Sequence, residues 1–431
     1  MSQNRVLVLV AGAAMGLSGV AFGQNANLDT NRAYAAELLA DSGGRASLLA
    51  QPGTNGWQDG RFTIGDGTNT LSVGGTIQSR YNISLRDEDT AGENEDFTHG
   101  FGYGSVRLRA FGSIWDRNLT YKIQGNFNGT GEDNGDGGFV DNDGTFGLED
   151  AWGRYQFDNG VSVRWGQFRL PLFREVYGVD DEYQLAVDRS INSTSAFFSQ
   201  GYSQGVEVGY QSDSFRVFGA FSDGLSSANT AFNGAGESDY AGTARLEFQV
   251  MGTDWQRWND FTSWQSAADT GILLGAAVHY ESSGETGGTG ADEGEIFIGT
   301  IDASFEGQGW NIFAAGNWFR NDDDVADASD NFGAVLQGGI FVTPQAELFA
   351  RYDGIFFDDD AFGDIDDAHF ATAGVNYYIS PESHAVKFTA EVGYSFTESA
   401  VLFGGGDTRA GFLGDTEDGE IIFQSQLQVL F

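Results

Sequence analysis

Basic side chains recur at alternate positions of short runs in this chain: Arg107 and Arg109 in VRLRAF, Lys122 in TYKIQ, Arg154 in WGRYQ and Arg164 in SVRWG. Arg80 sits the same way in QSRYN, and Arg216, Arg245 and Arg351 hold the same polar parity in later runs. A period of two puts such residues on one face of a strand. Cations gathered on one wall create a field that sorts ions. The segment 169–200 supplies the opposite charge: Glu175, Asp180, Asp181, Glu182 and Asp188, interspersed with Arg169, Arg174 and Arg189. A basic wall facing that segment sets a transverse field that orients charged and dipolar solutes. On this reading, neutralising Arg107 and Arg109 shifts ion selectivity toward cations. The bland alternative is local pairing of each arginine with an inward carboxylate such as Glu207, Glu247 or Glu391.

Other chemistries fit less well. GYSQG (201–205) matches Gly-x-Ser-x-Gly, but a nucleophile elbow at Ser203 needs a helix next, and VEVGY alternates like a strand. His99, His279, His369 and His384 show no metal spacing, and Cys 0 removes disulfides and thiolate sites. GGTGADEG (287–294) fits one calcium-binding nonapeptide, and such folds need tandem copies. We expect no catalytic residue, metal or cofactor, and no nucleic-acid partner at a formal net charge of −40.

The elements that position the basic residues are strands. Leu71, Val73, Ile77, Tyr81, Ile83 and Leu85 alternate with polar residues. The device recurs at 119–127, 161–166, 240–249 and 386–394, and about sixteen segments follow it. Gly 63, Pro 4 and 14% aromatics suit strands joined by tight turns. Short turns (WDRN, DNG, SDS, EGQG, TPQ, SPES) alternate with long acidic loops, such as RDEDTAGENED and TESAVLFGGGDTRAGFLGDTED. That rhythm belongs to an up-and-down membrane barrel. One short-side connection, MGTDWQRWNDFTSWQSAAD, is long, and its Trp255, Trp258 and Trp264 suit an interface-lying segment. The acidic loops read as solvated, with divalent-cation bridging to a surface layer as the alternative.

Residues 1–23 read as a signal peptide: Arg5, an apolar core from Val6 to Val20, and Ala21-Phe22-Gly23 at the cleavage site. Residues 24–68 do not alternate, and LDTNRAYAAELLADSGGR suggests a short helix in a periplasmic extension. The chain ends EIIFQSQLQVLF, with Phe423, Ser425, Leu427, Val429 and Phe431 on one face and Gln424, Gln426 and Gln428 on the other. In hydrocarbon a sheet must leave no edge, so this strand must pair with the one beginning near Leu71.

The stretch VRWGQFRLPLFREVYGVDDEYQLAVDRS resembles the phosphate-selective porin O and P family, through Gly166, Phe168, Pro171 and Phe173, then Asp188, Arg189 and Ser190. AELFARYD (346–353) and GVNYYISPESHAVKFTAEVGYSF (374–396) extend the resemblance over roughly 70–431. It implies a sixteen-stranded barrel, a homotrimer, and a third external loop folded inward, here 169–200. Phe431 is similar to the outer-membrane signal read by the barrel-assembly machinery. The family name implies phosphate among the solutes. This chain departs from it, because phosphate-selective members are noted for lysine and here the only lysines are Lys122 and Lys387.

The expectation is an all-β chain: a closed, up-and-down antiparallel transmembrane β-barrel over 69–431. It would stand in the outer-membrane lipid of a Gram-negative-type bacterium and pass small hydrophilic solutes and ions. The alternative is a nonconducting structural or adhesive barrel that binds divalent cations through its acidic loops.

Overall fold

In the computed structural model the alternating segments are strands. The residues described are 56–58, 61–86, 97–127, 146–194, 197–230, 238–252, 254–267, 269–283, 294–323, 328–358, 365–399, 402, 410–415 and 417–431. The signal-peptide and helical-extension readings, the GGTGADEG turn (all but Gly294) and most of the acidic loops fall outside them.

A short hairpin comes first, β1 (Gly56–Gln58) and β2 (Arg61–Gly65). The barrel strands follow as β3 (Thr70–Leu85), β4 (Phe97–Ile114), β5 (Asp116–Asn126), β6 (Gly147–Gln156), β7 (Val161–Phe168), β8 (Ser203–Gln211), β9 (Phe215–Ser222) and β10 (Tyr240–Met251). The circuit continues with β11 (Gly271–Ser283), β12 (Gly294–Gly307), β13 (Trp310–Asp323), β14 (Ser329–Phe341), β15 (Ala346–Phe356), β16 (Asp367–Tyr378), β17 (Val386–Ser395) and β18 (Ile421–Leu430). Each pairs antiparallel with its neighbour, and β18 pairs with β3, so sixteen strands form a closed ring. Closure satisfies backbone groups that hydrocarbon cannot.

The closing seam matches the terminal alternation. Gln424, Gln426 and Gln428 stand opposite Asn82, Arg80 and Gln78. Gln78 Nε2 donates to Gln428 Oε1 at 2.8 Å, and Arg80 Nε to Gln426 Oε1 at 2.6 Å. Order runs to the last residue: the Gly75 amide donates to the Phe431 carbonyl at 2.5 Å, and the Phe431 amide to the Gly75 carbonyl at 3.0 Å.

The usual burial rule is inverted across the wall. Leu108, Ile123, Leu246, Val278, Ile301, Leu336 and Leu427 point outward and are exposed, whereas Gln124, Glu247, His279, Gln337 and Gln426 point inward and are buried. This is the pattern of a sheet with lipid outside and polar groups within. One slip is absorbed at Gly104 and Ser105, so that Tyr103 and Val106, opposite Ser79 and Ile77, both face out. A side chain at Gly104 would strike the Arg80 guanidinium, which lies 2.3 Å from where its Cβ would be.

The hairpin corrects the reading of 24–68 as free of alternation. Phe62 and Ile64 point one way along β2, which pairs with Thr70–Val73, the part of the β3 edge that β18 leaves open. Two apolar residues are too short a run to register as a period. The turn after β2 is held by Asp66, whose carboxylate accepts from the Asn69 side chain and from the Asn69 and Thr68 amides. The same bonds, that of the Asn69 side chain foremost, hold the carboxyl down at about 2.

Candidate functional site: a loop clamped inside the barrel

Past β7 the described residues of 169–202 lie within the ring: Leu170, Leu172, Val179, Leu185 and Phe198 are fully or almost fully buried. Three short turns, Arg174–Gly178, Asp181–Tyr183 and Ile191–Thr194, shape this segment. It is first tied to itself. Glu175 accepts from the Ser190 amide at 2.9 Å, the Ser190 hydroxyl at 2.5 Å and the Ser193 hydroxyl at 2.7 Å. Arg189 donates to the Glu175 carbonyl at 2.9 Å and pairs with Asp181. The Asp188-Arg189-Ser190 element is therefore a clasp, closing the loop on its own first turn.

The loop is then tied to the wall on two sides. On the basic side Arg80 pairs with Asp188 at 3.0 Å and Arg109 with Glu182 at 2.5 Å, while Arg107 joins Glu149 (2.7 Å) to Asp181. Burial alone would raise the Asp180 carboxyl, but Lys122, Arg109, Arg169 and Arg107 around it prevail and hold it at about 2. On the far side the contact is apolar. Leu172, Phe173, Val176, Ile191 and Phe198 pack with Ala277, Ile298, Ile355 and Phe370, and Val179, Leu185 and Ala186 pack with Phe313, Val335 and Phe349. Arg245 bridges Glu247 and Asp302 and donates to the Leu172 carbonyl; Arg351 pairs with Asp353 and donates to the Asp188 carbonyl.

Two further clamps were not legible as such. From the short-turn side, the described residues of 254–264 bend inward instead of lying at the interface. Trp258 is fully buried beside Leu273 and Trp255, and the indole donates to Gln249 Oε1 at 2.6 Å. This strap reaches the loop: the Trp258 carbonyl accepts from Arg174, the Phe261 amide donates to the Tyr183 carbonyl at 3.3 Å, and Phe261 sits among the loop's apolar residues. The three tryptophans suggest a membrane surface by sequence; Trp255 and Trp258 are instead buried, and Trp264 packs half-buried against Phe341, Tyr378 and His384. From the long-loop side, Ala410 and Phe412, in a stretch read as solvated, join the same apolar cluster as Phe173.

The nine inward basic residues divide into two groups. Arg80, Arg107, Arg245 and Arg351 are sealed within ion pairs, so their work is to hold the loop and wall. Along β4 to β9 the pairs are lopsided. Side-chain exposure is 16% for Arg109 against 1% for Glu182, and 18% for Lys122 against 9% for Asp150. It is 13% for Arg164 against 2% for Glu207, and 11% for Arg216 against none for Glu247. Glu207 and Glu247 thus do pair locally, as the bland alternative has it, yet the cation is the member left facing water. Arg154 stands opposite Arg164 in the register, and its described side-chain bond goes to Ser162 Oγ at 3.0 Å. Within the loop, Arg169 donates to the Val176 carbonyl and lies 4.6 Å from the Tyr202 ring centroid.

Ser203 opens strand β8 rather than a helix, is fully buried, and its hydroxyl makes no hydrogen bond, so the elbow geometry is absent at this serine. Among the described residues no three His, Cys, Asp or Glu side chains group as metal ligands.

The model of the family described as phosphate-selective porin O and P matches residues 72–254, the span that holds the partly exposed cations and the loop. The chain resembles that porin family. No curated protein sequence matches it. Among solved structures, the anion-selective porin from Comamonas acidovorans is 14% identical, with TM-score 0.56, 84% of this chain and 100% of that one covered. The outer-membrane channel DcaP of Acinetobacter baumannii is 12% identical (TM-score 0.55; 88% and 100% covered), and in-vitro folded OmpT of Vibrio cholerae 14% identical (TM-score 0.55; 84% and 98% covered). At these identities the likeness is one of fold, the closed barrel of outer-membrane porins.

Proposed function

We propose that this outer-membrane channel passes small hydrophilic solutes by diffusion and favours anions, without catalysing a reaction. The observation that carries this is the lopsided exposure of the ion pairs along β4 to β9: Arg109, Lys122 and Arg164 stay partly exposed, and Arg216 slightly so, while their carboxylates lie deeper. A passing ion meets a cationic surface even where formal charges balance. The loop is pinned to β4 through Arg107 and Arg109, so the solute path runs past Lys122, Arg154 and Arg164, the inward cations of β5 to β7 that stay partly exposed. A homotrimer accords with the trimer form of Vibrio cholerae OmpT. Export on residues 1–23, an N-terminal extension, and recognition of Phe431 by the assembly machinery belong to the same proposal.

The test is the zero-current potential of purified protein in a planar bilayer under a salt gradient. It should take the sign of an anion-selective pore, and Arg154→Gln should move it toward cations. Arg154 is the informative position because no carboxylate is bonded to it, so the substitution leaves no buried acid behind. An unmoved potential would remove the cationic wall from the selectivity argument. Salt dependence separates the wall from the acidic loops. The Debye length falls from about 10 Å at 0.1 M to about 3 Å at 1 M. Raising salt should therefore silence the distant loops before the wall that solutes touch, so anion preference should grow with concentration. A cation preference that decays with salt would assign selectivity to the acidic loops.

A nonconducting barrel is the second reading, favoured by the apolar packing of the loop on the far wall. Folded, heat-modifiable protein that gives no current steps would establish it.

A further inference from the structure

Aromatic rings are set among the exposed cations. On the inner wall Phe111 stands opposite Lys122, Lys122 opposite Trp152, and Trp152 opposite Gly166. The neighbouring row runs Thr120, Arg154, Arg164. Trp152 is therefore flanked by Lys122 across the strand pair and by Arg154 two residues along its own strand, and the Arg164 guanidinium lies 5.9 Å from its ring centroid. Phe111 and Trp152 are only partly buried, although inward residues of the opposite wall, such as Asn376 and Thr389, are fully buried. The indole is fixed rather than loose. Its Nε1 donates to Asp150 Oδ1 at 3.1 Å, and Asp150 is held by Lys122 at 2.7 Å. Gly166, at φ 115°, gives the ring a neighbour without a side chain.

Rings left partly wet forgo the stabilisation that full burial would give, and a wall that sorted only inorganic anions gains nothing in return. We propose that this patch is a subsite for aromatic carboxylates: the solute's ring lies against Trp152 and Phe111 while its carboxylate meets Arg154 and Arg164. Arg154 is suited to the role because its Nε has no partner and its charge is not neutralised by a bonded carboxylate. A guanidinium pair matches a planar carboxylate, and ring pairs prefer offset or edge geometries that a fixed indole can offer. The inference rests on the anion-favouring reading above and narrows it to a solute class.

The experiment is block of single-channel chloride current by benzoate, acetate and cyclohexanecarboxylate at equal concentration. These carry the same charge, and the first and third have similar bulk. Benzoate should block at a concentration roughly threefold to tenfold below either of the others, the range a ring pair supplies. Trp152→Leu should abolish that advantage and Trp152→Phe should retain it, which separates loss of the ring from a disturbed fold. Equal block by the three acids in a channel with an anion-selective zero-current potential overturns the aromatic subsite and leaves the anion reading standing. A cation-selective potential overturns both. A benzoate advantage that survives Trp152→Leu also overturns the assignment, since the ring contact then lies elsewhere.

Discussion

Replacing Arg107 by alanine should unfasten the inserted loop rather than retune selectivity. The guanidinium donates through Nε to both Glu149 oxygens, at 2.9 and 2.7 Å, through a second nitrogen to Oε1 at 2.8 Å, and through the third to Asp181. All three residues are buried. Removing one partner of a buried pair leaves an uncompensated charge and typically costs about 3–5 kcal/mol. Asp181 retains Arg189 and Glu149 retains Gln124 Nε2 at 2.7 Å, so the larger loss falls on Glu149. The expected result is a lower unfolding temperature in detergent, with larger and noisier current steps as the loop leaves its seat. Arg107→Met combined with Glu149→Gln should recover most of the stability, because no orphan carboxylate remains. Native stability with a clean shift toward cations would instead restore Arg107 to the ion path, as alternation alone suggests.

That contrast marks how far the sequence could be read. On β3, β5, β7, β10, β17 and β18 the alternating polar residues are the less exposed face, and the terminal glutamines announced the closing seam because lipid and a polar interior are such unlike surroundings. Parity says which face a side chain occupies, but nothing about what lies over that face. Arg107 and Arg109 share parity, strand and chemistry. One is sealed by Glu149 and Asp181, and the other, held by Glu182 and Thr76, keeps 16% of its side chain exposed. The difference is made by a loop whose path is set by its own clasp, Glu175 with Ser190 and Ser193, residues with no periodicity to reveal them. Phe412 was hidden by its acidic surroundings in the last long loop. Its apolar ring in a charged stretch was the available signal.

The strap offers the second large effect. Trp258→Ala removes a fully buried indole from its contact with Leu273 and Trp255 and leaves Gln249 Oε1 without its donor. Substitutions of this size in a packed site cost about 3–5 kcal/mol. The loss is not confined to the strap, because the Trp258 carbonyl receives Arg174 and the neighbouring Phe261 carries both a backbone bond to Tyr183 and the packing on Phe313. Loosening the strap should therefore free the underside of the loop while the clasp and the basic side still hold it. Cys 0 in the native sequence makes this directly readable. A single Val179→Cys reporter, fully buried at the loop's centre, should resist a hydrophilic maleimide in the otherwise native barrel and react once Trp258→Ala is added. Trp258→Phe should give intermediate protection. Equal labelling with and without Trp258 would mean that the basic side and the far wall seat the loop unaided, leaving the strap as a cover for the short-turn mouth.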